Sequence, residues 1–210
     1  MTDNFELIKN LLEFRSSDDF YFLQIIQRKK DNKEGDVQLI KGSNNNSRMI
    51  RMYTIHSLDY LDKIKDEIIE LCKLFNARAG IDLNRKSYQQ CSLQTARLIM
   101  DQFLNKNFSD TIKAYSSVCG RFSNESDKKW IVDVDKEDLP KLENIRELLN
   151  HPDLEPIGDK IITEIPTKSG IHIITKPFNV DKFRKSVYAQ VTNIDKIDIH
   201  KMNPTIIYIP

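Results

Sequence analysis

Apolar residues recur along this chain with two periods, and the switches between them outline its elements. Phe5, Ile8, Leu11 and Leu12 sit at helical spacing and predict a short amphipathic helix over residues 3–14. Residues 20–27 are rich in aromatic and β-branched side chains and predict a strand. The polar run 28–36 then reads as a turn, with residues 37–40 returning beside that strand. Residues 42–47, Gly-Ser-Asn-Asn-Asn-Ser, are a loop by composition, and 48–55 another strand. Ser57 is a good N-cap for a long helix through Phe75, whose inner face carries Leu61, Ile64, Ile68, Leu71, Cys72 and Phe75. Residues 77–83 predict a strand. A second long helix follows over 88–104, with Leu93, Ala96, Ile99, Met100 and Phe103 inward.

Residues 109–129 are polar and read as the connection between an N-terminal α+β lobe, 1–108, and a second half, 130–210. In that half the pattern gives a strand at 130–135 and a helix at 138–149, with Pro140 near its start, where proline is tolerated. Residues 160–165 and 170–175 flank Pro166-Thr167-Lys168-Ser169 as a hairpin. A helix over 180–190 starts from an Asn179 cap, and 205–209 is the closing strand. The order β-α-β-β-α-β is the split βαβ arrangement of ferredoxin-like and RRM-type folds.

Composition adds limits more than leads. With 210 residues, 40% hydrophobic and 30% charged, the chain can form one sizeable core or two small lobes. A net charge of +1 gives no global signature for nucleic acid, so any such surface must come from local clustering. No apolar run approaches the ~18 residues of a membrane span, and the N-terminus lacks a basic and apolar signal, so a cytoplasmic, non-membrane protein is expected. Cys72, Cys91 and Cys119 are widely spaced, with no C-x-x-C, which points to reduced thiols and away from a zinc cluster. Cys72 falls on the apolar face of its helix and should pack in the core.

The candidate chemistry starts at Trp130-Ile131-Val132-Asp133-Val134-Asp135. On a strand, Asp133 and Asp135 point the same way, roughly 7 Å apart. Two acids in a core need a cation or a shared proton, and hard oxygen ligands favour Mg²⁺, Mn²⁺ or Ca²⁺ over zinc. The bland alternative has both aspartates just past the strand end, facing water. In a split βαβ sheet this strand lies beside the one opening at Gly170. There Lys168-Ser169-Gly170-Ile171-His172 offers a close backbone approach, two short donors suited to phosphate oxygens and a positive charge. Read singly, His172 is a satisfied core residue and Ser169-Gly170 a plain turn. A third acid could come from Asp195 or Asp198, each following a branched apolar residue, and each by default a surface charge.

Taken together, D-x-D, then S-G-x-H, then hydrophobic-Asp resembles the catalytic core of the archaeo-eukaryotic primase superfamily, including the primase-polymerases. The resemblance covers residues 130–210 by motif, and the N-terminal α+β lobe also fits. It implies a metal-dependent nucleotidyltransferase in DNA replication, of phage or mobile-element type, acting on single-stranded DNA template and nucleoside triphosphates. Asp133, Asp135 and Asp198 would hold Mg²⁺ or Mn²⁺, with Asp195 as the alternative third acid. Ser169 and His172 would contact the triphosphate, and Lys168 would stand beside them. The chain departs from many primases in having no Cys/His zinc element and no appended helicase or priming domain. It therefore reads as a minimal polymerase, as a subunit working with a helicase or other replication protein, or as a catalytically inactive relative that binds single strands or such a partner. Cleavage of phosphodiesters on the same acids is a third reading. An ordinary RRM is disfavoured, because its central strands present stacking aromatics where this chain has Asp133, Asp135 and His172.

Other features carry less. The basic residues of 77–86 could meet a template, but solvated charge is the plainer reading. Arg28-Lys29-Lys30 could touch a nucleic-acid backbone or simply charge a turn, and Gly120-Arg121-Phe122 receives no role. No P-loop, G-x-S-x-G or H-E-x-x-H occurs.

Overall fold

A computed structural model of the chain describes residues 1–31, 35–37, 39–40, 46–121, 123 and 128–210. Most of the Gly42–Ser47 loop expectation, Phe122 and part of the 109–129 segment lie outside the described residues. The protein is mixed α+β and divides into two compact units, residues 3–126 with 206–210, and residues 127–205.

The first unit is built on a sheet in the order β1 (Thr2–Asp3), β10 (Thr205–Ile209), β4 (Arg78–Ile81), β2 (Asp19–Arg28), β3 (Ser47–Ile55), with β5 (Lys86–Ser87) also paired to β2. β2 is buried on both faces, which its run of four aromatic or apolar residues, Phe20, Tyr21, Phe22 and Leu23, requires. Helix α2 (Leu58–Leu74) packs on β2, β3 and β4 through Leu61, Ile64, Ile68 and Cys72, with the Ser57 hydroxyl accepting from Tyr60 N–H as its N-cap. Four of the six residues expected on the α2 inner face are thus buried, while Leu71 and Phe75 are half-buried. Phe20 and Phe22 turn toward α3 (Tyr88–Leu104) and α4 (Ala114–Arg121), where they meet Cys91, Val118 and Cys119.

Four expectations are corrected here. The first helix is only α1 (Phe5–Lys9): the chain before it is drawn into β1, and residues 10–14 leave the helix after its Asn10 C-cap. Residues 37 and 39–40 form no strand: the fully buried Gln27 amide donates to Val37 O and accepts from Leu39 N–H, and β2 pairs with β3 instead. The polar stretch after residue 108 is no simple connection, since a 3₁₀ turn at Phe108–Lys113 leads into α4. Helix α3 presents Cys91 and Leu98 to its neighbours and leaves Leu93, Met100 and Phe103 more than half exposed. Its other apolar stripe was the one expected inside.

The basic residues of 77–86 are not a solvated group either. Lys86 is fully buried and pairs with Asp82 at 2.8 Å, while Asp82 also accepts from Asn84 N–H. Arg85 is buried too, near Asp19 and the Glu13 carbonyl, and Arg78 pairs with Asp31. All three cysteines are buried free thiols, Cys72 included as expected. Burial pushes the Cys72 thiol up to about 12.

The second unit carries a four-stranded antiparallel sheet in the order β7 (Ile161–Pro166), β8 (Ile171–Thr175), β6 (Trp130–Val134), β9 (Asp198–His200). One face, Val132, Val134, Ile171, Ile173 and Ile199, packs on helices α5 (Leu142–Leu149), α6 (Val180–Lys185) and α7 (Val187–Val191). α5 inserts Ile145, Leu148 and Leu149, apolar positions spaced at i, i+3 and i+4. The expected single helix over 180–190 is two, broken at Ser186, whose ψ of 133° is extended. Its Asn179 cap holds, accepting from Lys182 N–H at 3.0 Å. The strand that completes this sheet is β9, three residues long, and not 205–209: that segment is β10 and belongs to the first sheet.

Candidate functional site

Strand pairing fixes which side chains meet. β6 lies between β8 and β9, with Asp133 directly opposite His172 on one side and Asp198 on the other. The expected adjacency of the aspartate strand and the Gly170 strand is present. Because Val132, Val134, Ile173 and Ile199 are turned toward the helices, the alternation of a strand turns Asp133, His172, Asp198 and His200 to the opposite face. Cross-strand partners of this kind have Cβ atoms about 4.5–5.5 Å apart.

At the centre of the row, the two oxygens of Asp133 face different imidazoles. His172 Nε2 stands 3.5 Å from Oδ1, and His200 Nε2 stands 3.9 Å from Oδ2. His172 is anchored from behind, its Nδ1 lying 2.9 Å from the hydroxyl of the buried Thr205. The side chain of Asp133 is 30% exposed and that of His172 12%, so the carboxylate is the accessible group of the two.

Asp135 departs from the expected arrangement. The last ladder pair is Val134 with Ile171, so β6 ends before Asp135, which is exposed. It is still close to the second motif, because the hairpin between β7 and β8, closed by Thr167 N–H to Gly170 O, lays Gly170 against the Val134–Asp135 backbone. Lys168 and Ser169 are exposed at that hairpin's tip. Asp195 sits in the turn before β9, off the ladder, whereas Asp198 is the residue paired with Asp133. The structure thus groups Asp133, His172 and Asp198 in one row, and sets Asp135, Lys168 and Ser169 at one end of the same strands.

The donor set fits a divalent cation in chemistry. Asp133, Asp135 and Asp198 are carboxylates on or at the end of adjacent strands, and among the described residues none of the three pairs with lysine or arginine. As oriented, no three His, Cys, Asp or Glu side chains among the described residues converge on a point that could hold a metal ion. Asp133 lies within ion-pair range of two imidazoles, and Asp135 has left the ladder.

Two members of this neighbourhood were not read from the sequence. Thr205 stands far along the chain from His172, and no spacing links them. His200 follows Asp198 by two residues, and in a strand that alternation alone puts both on one face. It would have been found had residues 198–200 been taken as a strand. No protein-family model, no curated protein and no solved structure matches this chain, and among the described residues no helix is long and apolar enough to cross a membrane.

Proposed function

We propose that this chain is a nucleotidyltransferase of the primase-polymerase kind, extending or initiating strands on single-stranded template with a divalent cation. The observation that carries the reading is the register in which Asp133 meets both His172 and Asp198. Three motifs far apart in sequence thereby share one row. The strand order β7-β8-β6-β9, with helices between β6 and β7 and between β8 and β9, supports an RRM-like second unit.

In this reading Asp133 and Asp198 bind the cation, and the exposed Asp135 carboxylate adds charge at the mouth. The bound ion would supply Lewis-acid polarisation of the reacting phosphate and neutralise charge on the departing pyrophosphate. Ser169 and Lys168, at the hairpin tip beside Asp135, offer donors to the triphosphate. His172, held by Thr205 at Nδ1, keeps Nε2 on the same face as the carboxylates, where it can donate to a phosphate oxygen. The backbone ladder would hold Asp133, His172 and Asp198 in register before substrate arrives, which lowers the orientational cost of in-line attack.

The test is nucleotide incorporation on a single-stranded DNA template, with Mg²⁺ or Mn²⁺ and with ribo- and deoxyribonucleotides. Incorporation should fall at least about 100-fold in Asp133→Ala and Asp198→Ala, each with unchanged circular dichroism. Equal incorporation by wild type and both variants would sink the proposal.

One observation favours a second reading, a catalytically inactive relative that grips single strands or a replication partner: no three ligand side chains converge among the described residues. Binding of single-stranded DNA that persists in EDTA, with no incorporation under either ion, would select it.

A further inference from the structure

Cys91 and Cys119 are buried thiols that the proposed mechanism does not use, and they stand side by side. Cys91 lies one turn inside α3 from its Ser87 N-cap, and Cys119 lies on α4. Both belong to the apolar cluster of Phe20, Phe22 and Val118. Within it a chain of hydrogen bonds runs from the Tyr115 hydroxyl to Cys119 Sγ and on to Cys91 Sγ. The bond from Cys119 and the Lys86 ammonium hold the Cys91 thiol below its ordinary value, against burial and the Asp18 carboxylate. Donating that bond, together with burial, pushes the Cys119 thiol up. A groove of about 280 Å³ opens between the two helices, lined in part by Leu98 and Val118, which pack in the thiol cluster.

We propose that Cys91 and Cys119 are a peroxide-responsive pair, closing to a disulfide that staples α3 to α4 within the folded chain. The inference stands apart from the polymerase reading, since neither thiol belongs to the row on β6, β8 and β9. Cys91 is the attacking sulfur, because its thiolate is the one that a donated hydrogen bond and a nearby cation stabilise. It attacks one oxygen of hydrogen peroxide and the O–O bond breaks. The departing hydroxide leaves as water with the thiol proton, and Cys91 becomes a sulfenic acid. Cys119 Sγ then attacks Cys91 Sγ, the S–S bond forms and the S–O bond breaks. The second hydroxide takes the Cys119 proton and leaves as water. The two thiols together lose two electrons and two protons, and the peroxide is reduced to two waters. Neighbouring sulfurs need only close to the disulfide length of about 2.05 Å. The groove brings an oxidant little larger than water to the side chains packed on them. Cys72 packs under α2, where burial pushes its thiol up to about 12, and stays reduced.

The experiment treats the whole native chain with hydrogen peroxide, blocks remaining thiols with N-ethylmaleimide, and maps peptides by mass spectrometry without reduction. Wild type should yield a Cys91–Cys119 cross-linked peptide lighter by two hydrogen atoms, reversed by dithiothreitol, with Cys72 carrying the maleimide. Native wild type that gives no such peptide overturns the proposal with no variant required. So does a link through Cys72, or a Cys91–Cys119 link that forms only in urea. Dimedone, which traps sulfenic acids, then tests which sulfur attacks. Cys119→Ala should be labelled at Cys91, and Cys91→Ala should leave Cys119 unlabelled. Label on Cys119 in Cys91→Ala, with none on Cys91 in Cys119→Ala, overturns the assignment of Cys91 as the attacking sulfur.

Discussion

Gly170 presses against the Val134 carbonyl so closely that a Cβ built on it would stand 2.1 Å from the oxygen and 3.1 Å from Asp135 Cα. The requirement is for space, since Gly170 is not among the glycines with positive φ. Both obstacles are backbone, so relief must come from moving the hairpin away from the end of β6. Gly170→Ala should cost about 1–3 kcal/mol, the range for overpacking, read as a lower urea midpoint with unchanged slope. If the proposed function holds, incorporation should fall further than stability, because the shifted hairpin carries Ser169 and Lys168.

Lys86 and Asp82 form an ion pair with almost no exposure. Removing one partner strands a buried charge, which costs about 3–5 kcal/mol. Lys86→Met should therefore unfold at markedly lower urea than wild type, and Asp82→Asn/Lys86→Met should recover part of the loss. A double variant no more stable than Lys86→Met would mean that the pair is not what holds this segment.

Thr205 is fully buried, and its hydroxyl meets His172 Nδ1. Thr205→Val keeps the volume and removes the hydroxyl, at about 1 kcal/mol for one lost hydrogen bond. The ring ¹⁵N resonances of His172 should shift, reporting a changed balance between its nitrogens. Unmoved resonances would show that the threonine does not set the orientation of the imidazole.

Burial works against ionisation of Asp19, but backbone N–H groups of Arg15 and Ser16 and the Arg85 guanidinium outweigh it and hold its carboxyl below the usual value of 3.8. A carboxyl with a depressed folded pKa contributes stability that is fully present above its unfolded pKa and lost as pH falls through the folded one. The stability advantage of wild type over Asp19→Asn should thus be constant above about pH 4 and shrink at more acid pH. A gap that widens on acidification would reverse the sign and refute the assignment.

What was legible in the sequence follows physical lines. Ser57 and Asn179 announced their helices because a capping oxygen is a local device. The adjacency of β6 and β8 followed from element order, and Asp133 opposite His172 is its consequence. Helix α3 was harder, for it carries two apolar stripes, and only its neighbours Phe20, Phe22 and α4 decide that Cys91 and Leu98 go inside. Lys86 looked solvated because charge is usually exposed, and its partner Asp82 is visible only once the turn between them is formed. β9 was too short to leave a pattern, so the role of completing the second sheet was given to the stronger apolar run 205–209.

That run has a consequence for biogenesis. β10 lies between β1 and β4, so a nascent chain leaves a slot in its first sheet until residues 205–209 have been translated. Until then β4 is an open edge, the kind of surface that recruits foreign strands. The second unit, already synthesised by that time, is free to mature first, and the last strand then locks the earlier-made half into place.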